Sequence, residues 1–180
     1  MPSRRTTALL AAVTVMAGAA IAGVALGGED QTRQEAVAER GAKVMPFSLD
    51  ATTHVFDATA TGGTQRVVTD DPGDREQIRL VREHLRGEAN AFQRGDFAAP
   101  ASIHGGDMPG LADLRVGHRR FTVRYRDLPD GAQIDYRTTD PSLVTAIRDW
   151  FDAQLGDHGA DAQAGGHSSA DPSTHPGHKS

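Results

Sequence analysis

The chain has 180 residues, with no cysteine, eight histidines and four methionines. Without a thiol, disulfides, thiolate metal centres, thiol catalysis, covalent c-type haem and lipid-modified cysteine anchors are excluded. A formal net charge of −5 offers no basic footprint for nucleic acid, so no nucleic-acid partner is expected.

The N-terminal stretch reads as a targeting segment. Arg4 and Arg5 form a positive n-region, and residues 8–26 then carry no charge, with Thr14 the only polar side chain. Nineteen such residues come close to the ~20 that span a bilayer. Small residues dominate them, from Ala17 to Ala25, which favours a cleavable signal over an anchor. Ala25 and Gly27 suit the small-residue positions before a cut near Gly28. Residues 1–28 are therefore expected to be a signal peptide or an N-terminal membrane anchor. The protein is then secreted or otherwise extracytoplasmic, either freed by cleavage or held by an uncleaved helix. Ser3-Arg4-Arg5 is similar to the start of a twin-arginine signal, but Thr7 stands where a hydrophobic residue is usual, which favours an ordinary n-region.

Residues 29–44 are polar and charged, with Ala36-Val37-Ala38 the only apolar run, and read as a linker. Residues 45–157 have the make-up of a folded domain. Residues 158–180 are low in complexity and lack large apolar side chains, so they are expected to form a disordered, His-rich tail.

Within 45–157 one unit occurs twice. The first copy has strands near 53–58 and 64–69 around a turn at Gly62-Gly63, then a helix from Pro72 to about Arg94. The second has strands at 120–126 and 133–137 around Pro129-Asp130-Gly131, then a helix from Pro141 to about Leu155. Asp71-Pro72 and Asp140-Pro141, 69 residues apart, each place a capping residue before a first-turn proline. Ile78, Val81, Leu85, Ala89 and Phe92 in one helix and Val144, Ile147, Trp150 and Phe151 in the other follow helical spacing. The expected fold class is α+β: a two-layer domain with a four-stranded antiparallel sheet and two helices on one face. Residues 95–117 join the copies, with Gly105-Gly106 as a break and Asp107 as the cap of a short helical piece.

The joining segment carries His104-Gly105-Gly106-Asp107-Met108, an imidazole and a thioether either side of a flexible diglycine. Nitrogen and soft sulfur together suit copper, Cu(I) above all. His54 on the first strand and His84 at the edge of the first helix's apolar stripe could converge with His104 on a metal ion. Three imidazoles alone would suit zinc, and a His–Met pair would suit haem. His158 opens a C-terminal region in which His167, His175 and His178 follow, a composition that favours weak metal capture. Each of these has an ordinary alternative: His54 as a packed sheet residue, His84 as a boundary residue, His104 as a solvated loop residue, Met108 as a core plug, His158 as the end of the second helix.

Met45-Pro46-Phe47, Thr52-Thr53-His54-Val55-Phe56, Gly62-Gly63-Thr64-Gln65-Arg66-Val67-Val68, Gly95-Asp96-Phe97, the 103–111 stretch and Trp150-Phe151-Asp152-Ala153-Gln154 resemble a family of small bacterial proteins of unassigned role. Asp157-His158-Gly159 belongs to the same marked set. Some members of that family carry the label aspartate carbamoyltransferase. The resemblance implies a shared fold and places His54, His104, Met108 and His158 inside its marked segments. The expected function is an extracytoplasmic metal-binding protein, for copper handling or sequestration through His and Met. The alternatives are a non-catalytic cell-surface interaction domain, whose sheet face with Thr122, Arg124, Asp135 and Arg137 meets a protein partner, and the carbamoyl transfer that the family label implies.

Overall fold

Alternating side chains make the first hairpin, β1 (Thr52–Thr59) and β2 (Gly62–Thr69), and the second, β3 (Thr122–Leu128) and β4 (Gly131–Arg137), in a computed structural model that describes residues 21–165. β2 and β4 pair antiparallel with Gly62 opposite Arg137 and Val68 opposite Gly131, so the two hairpins share one seam. Two backbone bonds close it, Thr69 N–H to Asp130 O and Thr138 N–H to Thr61 O, each 2.9 Å. Each atom of the first bond has its counterpart in the second at an offset of 69 residues. The repeat is therefore an approximate two-fold about the seam.

The sheet differs from the expected one by a fifth strand. β5 (Ala162–Ala164) lies parallel beside β1, giving the order β3-β4-β2-β1-β5 and a mixed sheet. β5 has no pattern of its own. Its three residues take strand form because the free edge of β1 offers unpaired backbone groups, and Gly165 N–H adds a 2.7 Å bond to Phe56 O. Ordered chain thus continues to residue 165, inside the segment expected as a tail. His167, His175 and His178 lie outside the described residues.

The turns also sit elsewhere. Ala60-Thr61, not Gly62-Gly63, links β1 to β2, and Pro129-Asp130 links β3 to β4. The glycines open the returning strands because no side chain fits there. A Cβ on Gly62 (φ 135°) would lie 2.1 Å from Tyr136 O, and one on Gly131 would lie 2.0 Å from Val67 O.

Among the described residues five α-helices accompany the sheet in place of two. α1 (Ile21–Val44) takes up the segment read as a linker, α2 (Arg75–Gln93) and α5 (Pro141–His158) are the two repeat helices, and α3 (Ala98–His104) and α4 (Leu111–Gly117) fill the joining segment. α2 starts three residues later than expected. Asp71-Pro72 forms a turn, with Asp71 accepting from Gly73 N–H, and Asp74 caps Gln77 instead. α5 begins as expected, with Asp140 accepting from Ser142 N–H and Pro141 in the first turn. α4 is preceded by Gly110 at φ 76°, not by Asp107.

Val123, Ala132, Ile134, Tyr136, Val67, Phe56 and His54 share the sheet face covered by α2 and α5, while Thr122, Arg124 and Arg137 are exposed on the other. Trp150 stands edge-on to Phe92, Phe97 and Tyr136 at the centre of the core. α1 docks against α3 and α5, with Val37 and Gly41 buried, and among the described residues no helix is long and apolar enough to cross a membrane. The targeting segment lies largely outside the described residues.

Gly62→Ala adds a backbone clash worth about 1–3 kcal/mol to a positive-φ penalty of about 1–3 kcal/mol. It should cost more than Gly156→Ala, whose Cβ meets nothing within 4 Å on a helix and which should stabilise by about 0.5–1 kcal/mol. Urea unfolding of the two variants checks the contrast.

Candidate functional site

Four histidines far apart in sequence meet beneath the sheet edge. His54 comes from β1, His84 from α2, His104 is the last residue of α3, and His158 is the last residue of α5. They line one enclosed cavity of about 20 Å³ together with Met45, Gln65, Glu88 and Gln154. That space is on the scale of a single water, which needs about 10–15 Å³. Met108, paired with His104 in the sequence reading, does not line it. It is 5 % exposed and packs into the hydrophobic core, because Gly105 and Gly106 turn the chain away after His104.

The rings touch in pairs. His54 and His158 stack with centroids 4.5 Å apart and planes at 12°, and His104 stands edge-on to His158 at 5.0 Å. Phe47 packs edge-on to His84 at 5.5 Å and lies 6.1 Å from His54. Among the described residues that line the cavity, His54 Nδ1 and Gln154 Nε2 are buried without a hydrogen-bond partner, as Trp150 Nε1 is in the core. An unpaired buried polar atom costs about 1–3 kcal/mol, so the two cavity atoms mark a place where the fold gives up stability.

His104 is held by a buried carboxylate. Its Nδ1 lies 2.9 Å from Asp157 Oδ2. A carboxylate can only accept, so Nδ1 carries the proton and the neutral ring keeps its lone pair on Nε2. Asp157 in turn accepts from Arg33 Nε at 2.5 Å and Nη2 at 3.0 Å. Arg33 also reaches His104 O, and Arg40 of the same helix donates to Ile103 O. The polar side chains of α1 thereby fix both the ring and the helix end that bears it. His84 Nε2 faces Glu88 Oε1 at 3.5 Å, one turn further along α2.

Charge follows from these surroundings. Burial, then the nearby His158, His104 and His84, hold His54 well below the ordinary imidazole value. Burial and His104 push His158 down to about 4, against the pull of Asp157. Burial lowers His104 as well and outweighs Asp157. For His84 burial is the largest single influence and acts downward, but the hydrogen bond and charge of Glu88 together exceed it and raise the value. Three rings are thus neutral and available as lone-pair donors at neutral pH, and the fourth carries a carboxylate beside it.

The sequence placed His54, His84, His104 and His158 among the candidates, and the fold brings all four to one cavity. Met45, Glu88, Gln154, Asp157 and Arg33 were missed. Asp157 and Glu88 had a usable signal: Asp157 adjoins His158, and Glu88 stands four residues after His84 on one helix face. Among the described residues no group of three or more His, Asp or Glu side chains is placed to hold a metal ion. No family model, curated protein or solved structure matches the chain.

The pH dependence has a definite sign. In the unfolded chain His54, His104 and His158 take up protons near the ordinary value, while the fold resists their charge. Stability is therefore full above the unfolded value of 6.5 and falls as pH drops towards the folded value of about 4 for His158. His158 alone contributes a loss of up to about 3 kcal/mol over that window. His84, raised by Glu88, works weakly in the opposite sense. His158→Gln should flatten the decline in urea-unfolding stability between pH 7 and 4.5, and an unchanged slope would contradict the assignment.

Proposed function

We propose that this protein binds a single copper ion outside the cytoplasm, in a handling or sequestering role, through the imidazoles of His54, His84, His104 and His158. The observation that carries the reading is their convergence from four separate elements on one enclosed, atom-sized cavity. Supporting features are the chemical state and orientation of the donors. Burial keeps His54, His104 and His158 neutral, the form in which imidazole ligates metal. The Asp157–His104 contact is the kind of carboxylate support that orients metal-ligating histidines.

Copper is favoured over zinc by the presence of Met45, a thioether side chain, among the residues that line the cavity, in the role that the sequence reading gave to Met108. The cavity is of ion size, which disfavours haem. Binding requires the stacked rings of His54 and His158 to rotate so that nitrogens face the guest. His54 Nδ1 has no bond to lose in that rotation. Export through the N-terminal segment would place the site where copper has to be managed. The three histidines beyond residue 165 would add weaker, exchangeable capacity.

Purified protein titrated anaerobically with Cu(I) against a competing chelator should retain one tight equivalent. His104→Ala should weaken it by more than about tenfold, while replacing His167, His175 and His178 should leave the tight equivalent in place. Absence of binding of Cu(I), Cu(II) and Zn(II) at micromolar concentration overturns the metal reading, and a preference for Zn(II) overturns the choice of copper.

A second reading, a cell-surface interaction domain, is favoured by the uncovered sheet face. Thr122, Arg124 and Arg137 are exposed there, and Asp135 is half-buried among them. A defined partner bound equally by metal-free wild type, and lost on Arg124→Glu with Arg137→Glu, would support it.

A further inference from the structure

The histidine cavity has a neighbour. A surface groove of about 460 Å³ runs along α2 towards the start of α3, lined in part by Glu83, His84, Gly87, Glu88 and Asp96. His84 and Glu88 line both spaces, so this one pair is the wall between the groove and the buried rings. Each is 13 % exposed at its side chain, open to solvent on one side and to the cavity on the other. Their 3.5 Å separation is at the long end of hydrogen-bonding distance, so one weak charge-assisted contact is broken when either swings.

The groove is lined largely by small and apolar side chains, Val44, Ala91, Phe92, Ala98 and Ala99. Of its three carboxylates, Glu83 is paired with Arg79 at 2.9 Å and Asp96 accepts from Ala98 N–H, which leaves Glu88, facing His84, as the one at the wall. Its helical floor contains Gly87, where an added Cβ would meet nothing within 4 Å. Glycine inside a helix costs about 1 kcal/mol relative to alanine. No close packing demands it at this position; what its missing side chain leaves is open space beside the His84–Glu88 wall.

We propose, resting on the metal reading above, that this groove is the ion's route to the cavity, with Glu88 as the carboxylate that first meets the cation and the His84–Glu88 pair as the gate through which it reaches the four imidazoles. Capture at Glu88 is electrostatic and depends on ionic strength. Transfer inward then exchanges oxygen ligands for nitrogen and sulfur, which the softer ion prefers. The gate accounts for a polar pair standing between the buried rings and solvent.

Stopped-flow uptake of Cu(I) by the full protein tests the route separately from the site. Gly87→Trp should slow uptake by about tenfold or more while leaving the final stoichiometry unchanged, and Gly87→Ala should stay within about twofold of wild type. Glu88→Gln should slow uptake severalfold and reduce its salt dependence. Wild-type rates in both Gly87→Trp and Glu88→Gln overturn the route even if copper is bound. Failure of the wild type to bind copper overturns the site, and the route with it.

Discussion

The seam between β2 and β4 is the constraint on which the rest of the fold depends. It joins the two hairpins into one sheet, and it can form at full closeness only because Gly62 and Gly131 present no Cβ to the facing carbonyls. With the seam in place, α2 and α5 are set side by side on one face. β1 is then left as an edge, and the chain returning from α5 covers it as β5. The histidine cavity lies under that edge, where helix ends and strand meet. Its geometry is a by-product of how closely the two copies approach.

Much of the sheet and of the two long helices was legible because those elements carry their own pattern. Phe121, Val123 and Tyr125 alternate, Ile78, Val81 and Leu85 follow helical spacing, and Asp140-Pro141 marks a helix start. α1 was misread as a linker because it docks mainly through Arg33, Gln34 and Arg40, whose partners lie more than 60 residues away. A helix held by remote hydrogen bonds leaves little trace in hydrophobic periodicity. Gly62-Gly63 was misread for a related reason. Local rules assign glycine to a turn, while this pair answers to Tyr136 of β4 and Phe151 of α5, which the local sequence does not contain.

The site was legible as a set of residue types but not as an arrangement. His54, His84 and His104 stood out for their place on elements, and His158 for its company in the tail. That His104 would meet His158 and not Met108 depends on the angle at which the chain leaves α3 through Gly105 at φ 105°. Asp157 became significant only once α1 brought Arg33 to it. A carboxylate is costly to bury unless it is paired, and here the buried Asp157 is engaged by the half-exposed Arg33 and by His104.

The duplication also carries its own comparison. Shifted by 69 residues, Ile78 falls on Ile147 and Val81 on Trp150, both pairs apolar and buried in each copy. The same shift carries His54 to Val123 and His84 to Ala153. At the equivalent strand and helix positions, then, the architecture is satisfied by aliphatic carbon. The chain has in effect performed the substitution on itself: one half keeps the bare scaffold, and the other bears the imidazoles that the scaffold does not require.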